Sequence, residues 1–221
     1  MEPLVEYSMH GRVVCSNDTE EVERWWSSFA SCTTLSFDGE FLWNSDLQAN
    51  VMALAQFTGG VGSSAATTLL TNLVSHPRLL QRILSPETIL VGKDLRGDWD
   101  ALHAAVRLSG VECVELLDGE TYQVDELFEA GSTAAGWRDI TQLLPLHRID
   151  ASTESIARLF LGQTASWKRT VDHADPPSWD ALDTLSQTAK HYAACDACFV
   201  WDVMTTVKRQ VEAHGGCLPW H

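Results

Sequence analysis

An α/β fold, a mixed β-sheet with helices on both faces, is predicted by the order of segments along this 221-residue chain. Short apolar segments bounded by turn residues fill the first half, and segments with helical spacing dominate the second. Hydrophobic residues make up 45% of the chain against 20% charged, which supplies a full core for one large domain. The core of that single domain is expected at about 33–207, with an N-terminal helical extension over 1–32.

In the extension, NDTEEVERWWSSFASC reads as a helix. Asp18 or Thr19 can cap it, acids fill its first turn, and Trp25, Trp26 and Phe29 form an apolar side. TTLSFDGEFLW and VMALAQFT then read as strands, and SSAATTLLTNL as a third, with turns at Asn44-Ser45-Asp46 and Thr58-Gly59-Gly60. HPRLLQRILS is a helix with Pro77 in its first turn, and ETILVG a buried strand. GDWDALHAAVRLSG is a helix ended by Gly110, followed by VECVELL as another strand. The acidic stretch LDGETYQVDELFEAGSTAAGW has no clear period and is expected to be a loop-like insertion or a mobile flap. From Asp139 the chain turns helical, through ITQLLPL and then STESIARLFLG with Ser152 as its cap. The proline-rich DHADPPSW connects it to one long helix, SQTAKHYAACDACFVWDVMTTVKRQVEAHGG.

No run approaches the ~18 apolar residues of a membrane span, and MEPLVEYSMHGRVV lacks the basic start and apolar stretch of a secretory signal. An intracellular protein, nuclear or cytoplasmic and not secreted, is expected. The six cysteines (15, 32, 113, 195, 198 and 217) have no framework spacing and are expected to be reduced thiols. Cys195 and Cys198 form a C-x-x-C inside a helix with no zinc-like partner pair, and His214 with Cys217 matches no ligand pattern. The chain has no G-x-S-x-G, phosphate-cradling glycine loop or H-E-x-x-H.

Three short stretches carry the chemistry. Asp38 and Glu40, two apart on a strand, project from one face while Phe37, Gly39 and Phe41 face the other. Paired hard oxygen donors suit Mg²⁺ or Mn²⁺, and carboxylates in so apolar a strand need a partner. Tyr192 and Asp196, at i and i+4, share a helix face lined by alanines. Asp98 stands at a strand-to-helix junction, where an N-cap role is equally open, and Asp94 and Asp100 are local rivals to it.

Taken in order, FDGEF with VMALAQF, ILVGKDLRGDWDAL, and SW…LSQTAKHYAACDA resemble the DEDDy branch of the 3′–5′ exonucleases. The nearest relatives by motif are the Werner-syndrome-type exonuclease domain and ribonuclease D. The resemblance covers about residues 33–207 and implies a ribonuclease H-like fold. It selects Asp98 over Asp94 and Asp100, and it makes Asp38, Glu40, Asp98, Tyr192 and Asp196 the catalytic set. Lys168, Trp179 and Ser186 also stand where the family has such residues. Gly39 between the two acids departs from the pattern, as do the length of 117–137 and the spacing from Lys168 to Trp179.

What the resemblance implies is a two-metal phosphodiester hydrolysis that releases nucleoside 5′-monophosphates from the 3′ end of DNA or RNA. Two divalent cations, Mg²⁺ or Mn²⁺, would lie ~3.5–4 Å apart in such a site. Asp38 would bridge both, Glu40 and Asp196 would complete one shell, Asp98 would serve the other through water, and Tyr192 would orient the attacking water. Phe41, Leu42, Trp43, Trp99 and Lys168 are candidates to engage the substrate, the aromatic ones by stacking on a base; core packing is the competing role for each apolar one. The alternative is a catalytically silent exonuclease-like scaffold that binds RNA or protein.

The net charge of −15 opposes sequence-blind nucleic-acid binding through bulk electrostatics. Basic residues pair only locally, at Lys93 with Arg96, Lys168 with Arg169 and Lys208 with Arg209. Weak, salt-sensitive binding to a free 3′ end, or a protein partner for targeting, is the expectation.

Overall fold

In the computed structural model, which describes residues 5–9, 11–28, 32–60, 66–144 and 151–216, the N-terminal segment is only partly helical. It contributes strands β1 (Val5–Glu6) and β2 (Arg12–Cys15) before helix α1 (Thr19–Ser28). Asp18 is the cap of α1, its Oδ1 accepting from Glu21 N at 2.9 Å. The sequence signal for β2 is short, and the strand exists because a sheet edge accepts it: Arg12–Cys15 runs parallel to Ala66–Leu69. Phe29, the start of the third expected strand at 63–65, the end of ITQLLPL and Cys217 lie outside the described residues.

The meander follows as expected, with β3 (Thr34–Asn44), β4 (Ala49–Gly59) and β5 (Ala66–Thr71). The β3–β4 turn is held by Asn44, whose Oδ1 accepts from Asp46 N and Leu47 N. Helix α2 (Pro77–Leu84) begins on its proline and buries Leu79, Leu80, Ile83 and Leu84. Strand β6 (Ile89–Gly92) leads into α3 (Arg96–Ser109), which Gly110 ends with φ 73°.

The stretch expected as a loop or flap is ordered structure, which corrects that expectation. Strand β7 (Cys113–Glu115) pairs with β8 (Thr121–Gln123) as a separate hairpin, outside the main sheet. Helix α4 (Val124–Ala130) and strand β9 (Trp137–Asp139) complete the stretch. Its few apolar residues, too sparse to show a period, are the ones that anchor it: Val124, Phe128 and Trp137 are buried, and the Trp137 indole donates to Ile83 O at 2.8 Å.

After α5 (Ile140–Leu143) comes α6 (Thr153–Ile156), capped by Ser152 and continued as a π-helical turn through Leu161. Strand β10 (Gln163–Thr164) pairs with β1, a 3₁₀ turn spans Ser166–Arg169, and α7 (Gln187–Ala213) starts on its Ser186 cap.

The six-stranded sheet has the order β2-β5-β4-β3-β6-β9. β4 is antiparallel to both β3 and β5, while β2–β5, β3–β6 and β6–β9 are parallel. This is a mixed sheet, as expected. Two apolar layers sandwich it. One, with Leu54, Val91, Trp167, Trp179 and Phe199, packs α7 on one face. The other, with Phe37, Phe57, Leu102 and Trp137, packs α2 and α3 on the other. Among the described residues no helix is long and apolar enough to cross a membrane.

Candidate active site

Strand alternation divides β3 between the two layers. Leu35 and Phe37 enter the α3-side core, and Phe41 packs at its margin. Ser36, Asp38, Glu40 and Leu42 take the other face, toward α7. Ser36 Oγ donates to Ala197 O at 2.6 Å, which ties β3 to α7 one residue beyond Asp196. Past Glu40 the register shifts: Glu40 lies opposite Leu54 and Phe41 opposite Met52, so Ala53 is an extra residue in β4.

Through this arrangement the ligand oxygens of Asp38, Glu40 and Asp196 all come within 4.8 Å of one another. Asp38 and Glu40 are half-buried and reachable by solvent, whereas Asp196 is buried beneath them. Burial, then Asp196, pushes the Asp38 carboxyl up to about 7, opposed by Lys168. Burial, then Asp38 and Asp196, pushes Glu40 up to about 9, again against Lys168. Asp38 and Glu40 resist ionising beside Asp196, and hard oxygens grouped in this way suit a cation.

Asp196 uses its two oxygens differently. Oδ1 accepts from the Trp167 indole at 2.8 Å and from Lys168 Nζ at 2.6 Å. Oδ2 is buried with no hydrogen-bond partner, a costly state unless a ligand completes it. That orphaned oxygen and the cluster of hard donors fit a divalent cation such as Mg²⁺ or Mn²⁺.

Tyr192 lies one turn before Asp196, and Lys168 Nζ donates to its hydroxyl at 3.3 Å while standing 5.0 Å from its ring centroid. Burial, then Asp196, raises the phenol above its ordinary value, so it stays protonated. Trp179 is buried with its ring 6.2 Å from that of Tyr192.

Asp98 arrives from the opposite layer. It is the third residue of α3 and is buried, whereas its rivals Asp94 and Asp100 are exposed. Burial, then Asp38, pushes its carboxyl well up, so it lies within electrostatic reach of the cluster but is not one of the three grouped acids. Gly39 explains its position. A Cβ on Gly39 would stand 2.8 Å from Asp98 Oδ1, 3.0 Å from Met52 Cε and 3.1 Å from Phe41 Cε1. The glycine that departs from the family pattern leaves the space this carboxylate uses. Asp98 Oδ1 is itself buried without a hydrogen-bond partner.

The candidate substrate contacts separate. Trp43 is 62% exposed at the end of β3. Phe41 and Leu42 are half-buried against opposite layers. Trp99 cannot stack on a base: it is 5% exposed, packs on Phe128 and Trp137, and donates its indole N–H to Phe128 O. Successive side chains on a helix point about 100° apart, so Trp99 turns away from Asp98 into the core, and its burial supports core packing in place of base stacking, which corrects that expectation. Of the basic pairs, Lys93 is bound to Asp94, Lys168 to Asp196, and Lys208 lies 4.0 Å from Glu212. Trp167, the donor to Asp196, was not visible in the sequence; an indole beside Lys168 looks like any core tryptophan. Among the described cysteines no disulfide forms.

No family model matches the chain, and no curated protein matches it in sequence. Solved structures do match in fold. The EXO domain of Nibbler from Aedes aegypti superposes with TM-score 0.62 at 13% identity, over 93% of this chain and 91% of that one. Ribonuclease D from Trypanosoma brucei, in complex with RNA U12, gives 0.59 at 15% identity, over 90% and 63%. Escherichia coli ribonuclease D, an exoribonuclease involved in structured RNA processing, gives 0.57 at 15% identity, over 94% and 46%. This chain therefore spans roughly half to two thirds of the two ribonuclease D chains. This chain shares the α/β fold of these solved structures, a mixed sheet with helices on both faces, as the motifs imply.

Proposed function

We propose that this protein is a metal-dependent 3′–5′ exonuclease acting on a nucleic acid with a free 3′ end. The observation that carries the proposal is the convergence of Asp38, Glu40 and Asp196 within 4.8 Å, in a fold shared with exonucleases. Asp38, Glu40 and Asp196 would hold divalent Mg²⁺ or Mn²⁺, with Asp98 serving a second ion from beside Gly39. Bound there, such ions supply an activated water and offset charge on the phosphate and the leaving 3′ oxygen.

The chain's own groups do the rest. Asp196 is fixed by the Trp167 indole through Oδ1, which leaves Oδ2 free of protein donors. Because Lys168 donates to the Tyr192 oxygen, the phenol proton remains available to hydrogen-bond the oxygen of an attacking water. A phenol raised above its ordinary value orients that water and does not serve as its base. Trp43 is the exposed aromatic surface nearest in sequence to the acids on which a terminal base would stack. The RNA named in the ribonuclease D complex makes RNA the first substrate to try.

A second reading, a folded scaffold that does not cleave, is favoured by one observation: Asp98 stands outside the group of three. One assay separates the two. With 5′-labelled RNA and DNA and Mg²⁺ or Mn²⁺, the enzyme gives a shortening ladder that Asp38→Ala abolishes. A folded protein that leaves every substrate intact overturns the exonuclease and leaves the scaffold.

A further inference from the structure

Lys168 occupies an unusual place for a residue expected to meet substrate. Its ammonium lies 2.6 Å from Asp196 Oδ1 and 3.3 Å from the Tyr192 hydroxyl, with the side chain only 34% exposed. The turn that carries it is packed in place. Trp167, one residue earlier, is buried, its ring lies 4.8 Å from Tyr7 and 5.3 Å from Phe199, and its indole is bonded to the same aspartate. Tyr7 is itself fixed by its hydroxyl, which donates to Asp202 Oδ2 at 2.8 Å. The lysine is thus delivered to the acids by packing and is not a loose surface cation.

With all three grouped acids ionised, as they would be around a bound cation, the carboxylates and the one ammonium leave two negative charges, the number that a single divalent ion balances. Without the lysine three remain. We infer that Lys168 is a resident counter-cation of the carboxylate cluster: it holds the acids together when no metal is bound and weakens the cluster's hold on divalent ions. The inference rests on the proposed reading of the cluster as a metal site. Arrival of a metal places a second positive charge beside the ammonium, and like charges a few ångströms apart in a partly desolvated site repel strongly.

The test is Mn²⁺ binding by the full chain, followed by calorimetry and by electron paramagnetic resonance of free Mn²⁺, without substrate. Lys168→Met is expected to bind Mn²⁺ about tenfold tighter than wild type, and Lys168→Arg, which keeps the charge, within about threefold of it. The metal-free Lys168→Met protein is also expected to melt lower than wild type, with Mn²⁺ restoring the difference. Should Lys168→Met not fold, as judged by near-ultraviolet circular dichroism, Lys168→Gln carries the same expectation.

Unchanged or weaker Mn²⁺ binding by the folded neutral variant overturns the inference. So does equal tightening by Lys168→Arg, since charge would not then be the cause. Asp38→Ala separates this failure from that of the function. If wild type binds no Mn²⁺, or Asp38→Ala binds it equally, the metal-site reading falls. If binding depends on Asp38 but not on the charge at 168, only the role of the lysine falls.

Discussion

Asp196 and Asp98 are both buried aspartates on helices that pack against β3, and their surroundings could hardly differ more. Asp196 enters from the α7 layer, where an indole and an ammonium fix one oxygen, the other is buried without a hydrogen-bond partner, and the carboxylate groups with two more acids. Asp98 enters from the α3 layer, with Trp99 and Phe128 close by in its core and with its Oδ1 in the space left by Gly39. One is fixed by a side-chain donor and an ammonium, the other is admitted by the absence of a methyl group. The difference teaches that a β-strand lets one short motif serve two layers: Asp38 and Glu40 build a polar site on one face while Gly39 admits a fourth acid on the other.

The sharpest way to break this comparison is to neutralise each aspartate in turn. On the proposed reading, Asp196→Ala should lower exonuclease turnover by about 10²–10³-fold, the scale of losing one preorganised group of a charge-stabilising site. Asp98→Asn should cost about 10–100-fold, the scale of groups acting through an intervening shell. Single-turnover rates on labelled RNA measure both. Equal losses would erase the distinction drawn here.

A smaller effect is expected from filling the space that Asp98 uses. Gly39→Ala places a Cβ 2.8 Å from Asp98 Oδ1. Such overpacking typically costs about 1–3 kcal/mol, to be read from urea denaturation at constant slope. Its effect on turnover should match that of Asp98→Asn and, in the double variant, should not add to it. Additive losses would mean that Gly39 acts on something other than Asp98.

The smallest effect concerns pH. The folded carboxyls of Asp38 and Glu40 stand at about 7 and about 9, above their ordinary range. The metal-free fold therefore binds protons that the unfolded chain has already released. That contribution to stability is intact below the ordinary carboxylate range and is lost as pH rises through the folded values. Because both groups are reached by solvent, the effect is discounted to a melting temperature a few degrees lower at pH 9 than at pH 6. Saturating Mn²⁺ should remove most of the difference. A metal-free melting temperature that rises over this range would contradict the like-charge description of the cluster.

The sequence by itself determined what depends on neighbours a few residues apart. Strand alternation put Asp38 and Glu40 on one face and Phe37 with Phe41 on the other, and helical spacing stacked Tyr192 under Asp196. Asp18, with Thr19 as its rival, and Ser152 were legible as caps because a short oxygen before an apolar period has a local use, whereas the cap at Ser186 emerged only in the structure. Only the tertiary structure decided which of Asp94, Asp98 and Asp100 turns inward, that Trp99 is core while Trp43 is surface, and that Trp167 and Lys168 share Asp196. It also decided that Arg12–Cys15 joins the sheet and that Val124, Phe128 and Trp137 fold a stretch with no visible period. The physical reason is the same for each: backbone geometry sets periodicity locally, whereas burial and partnership are settled by packing between segments far apart in the chain.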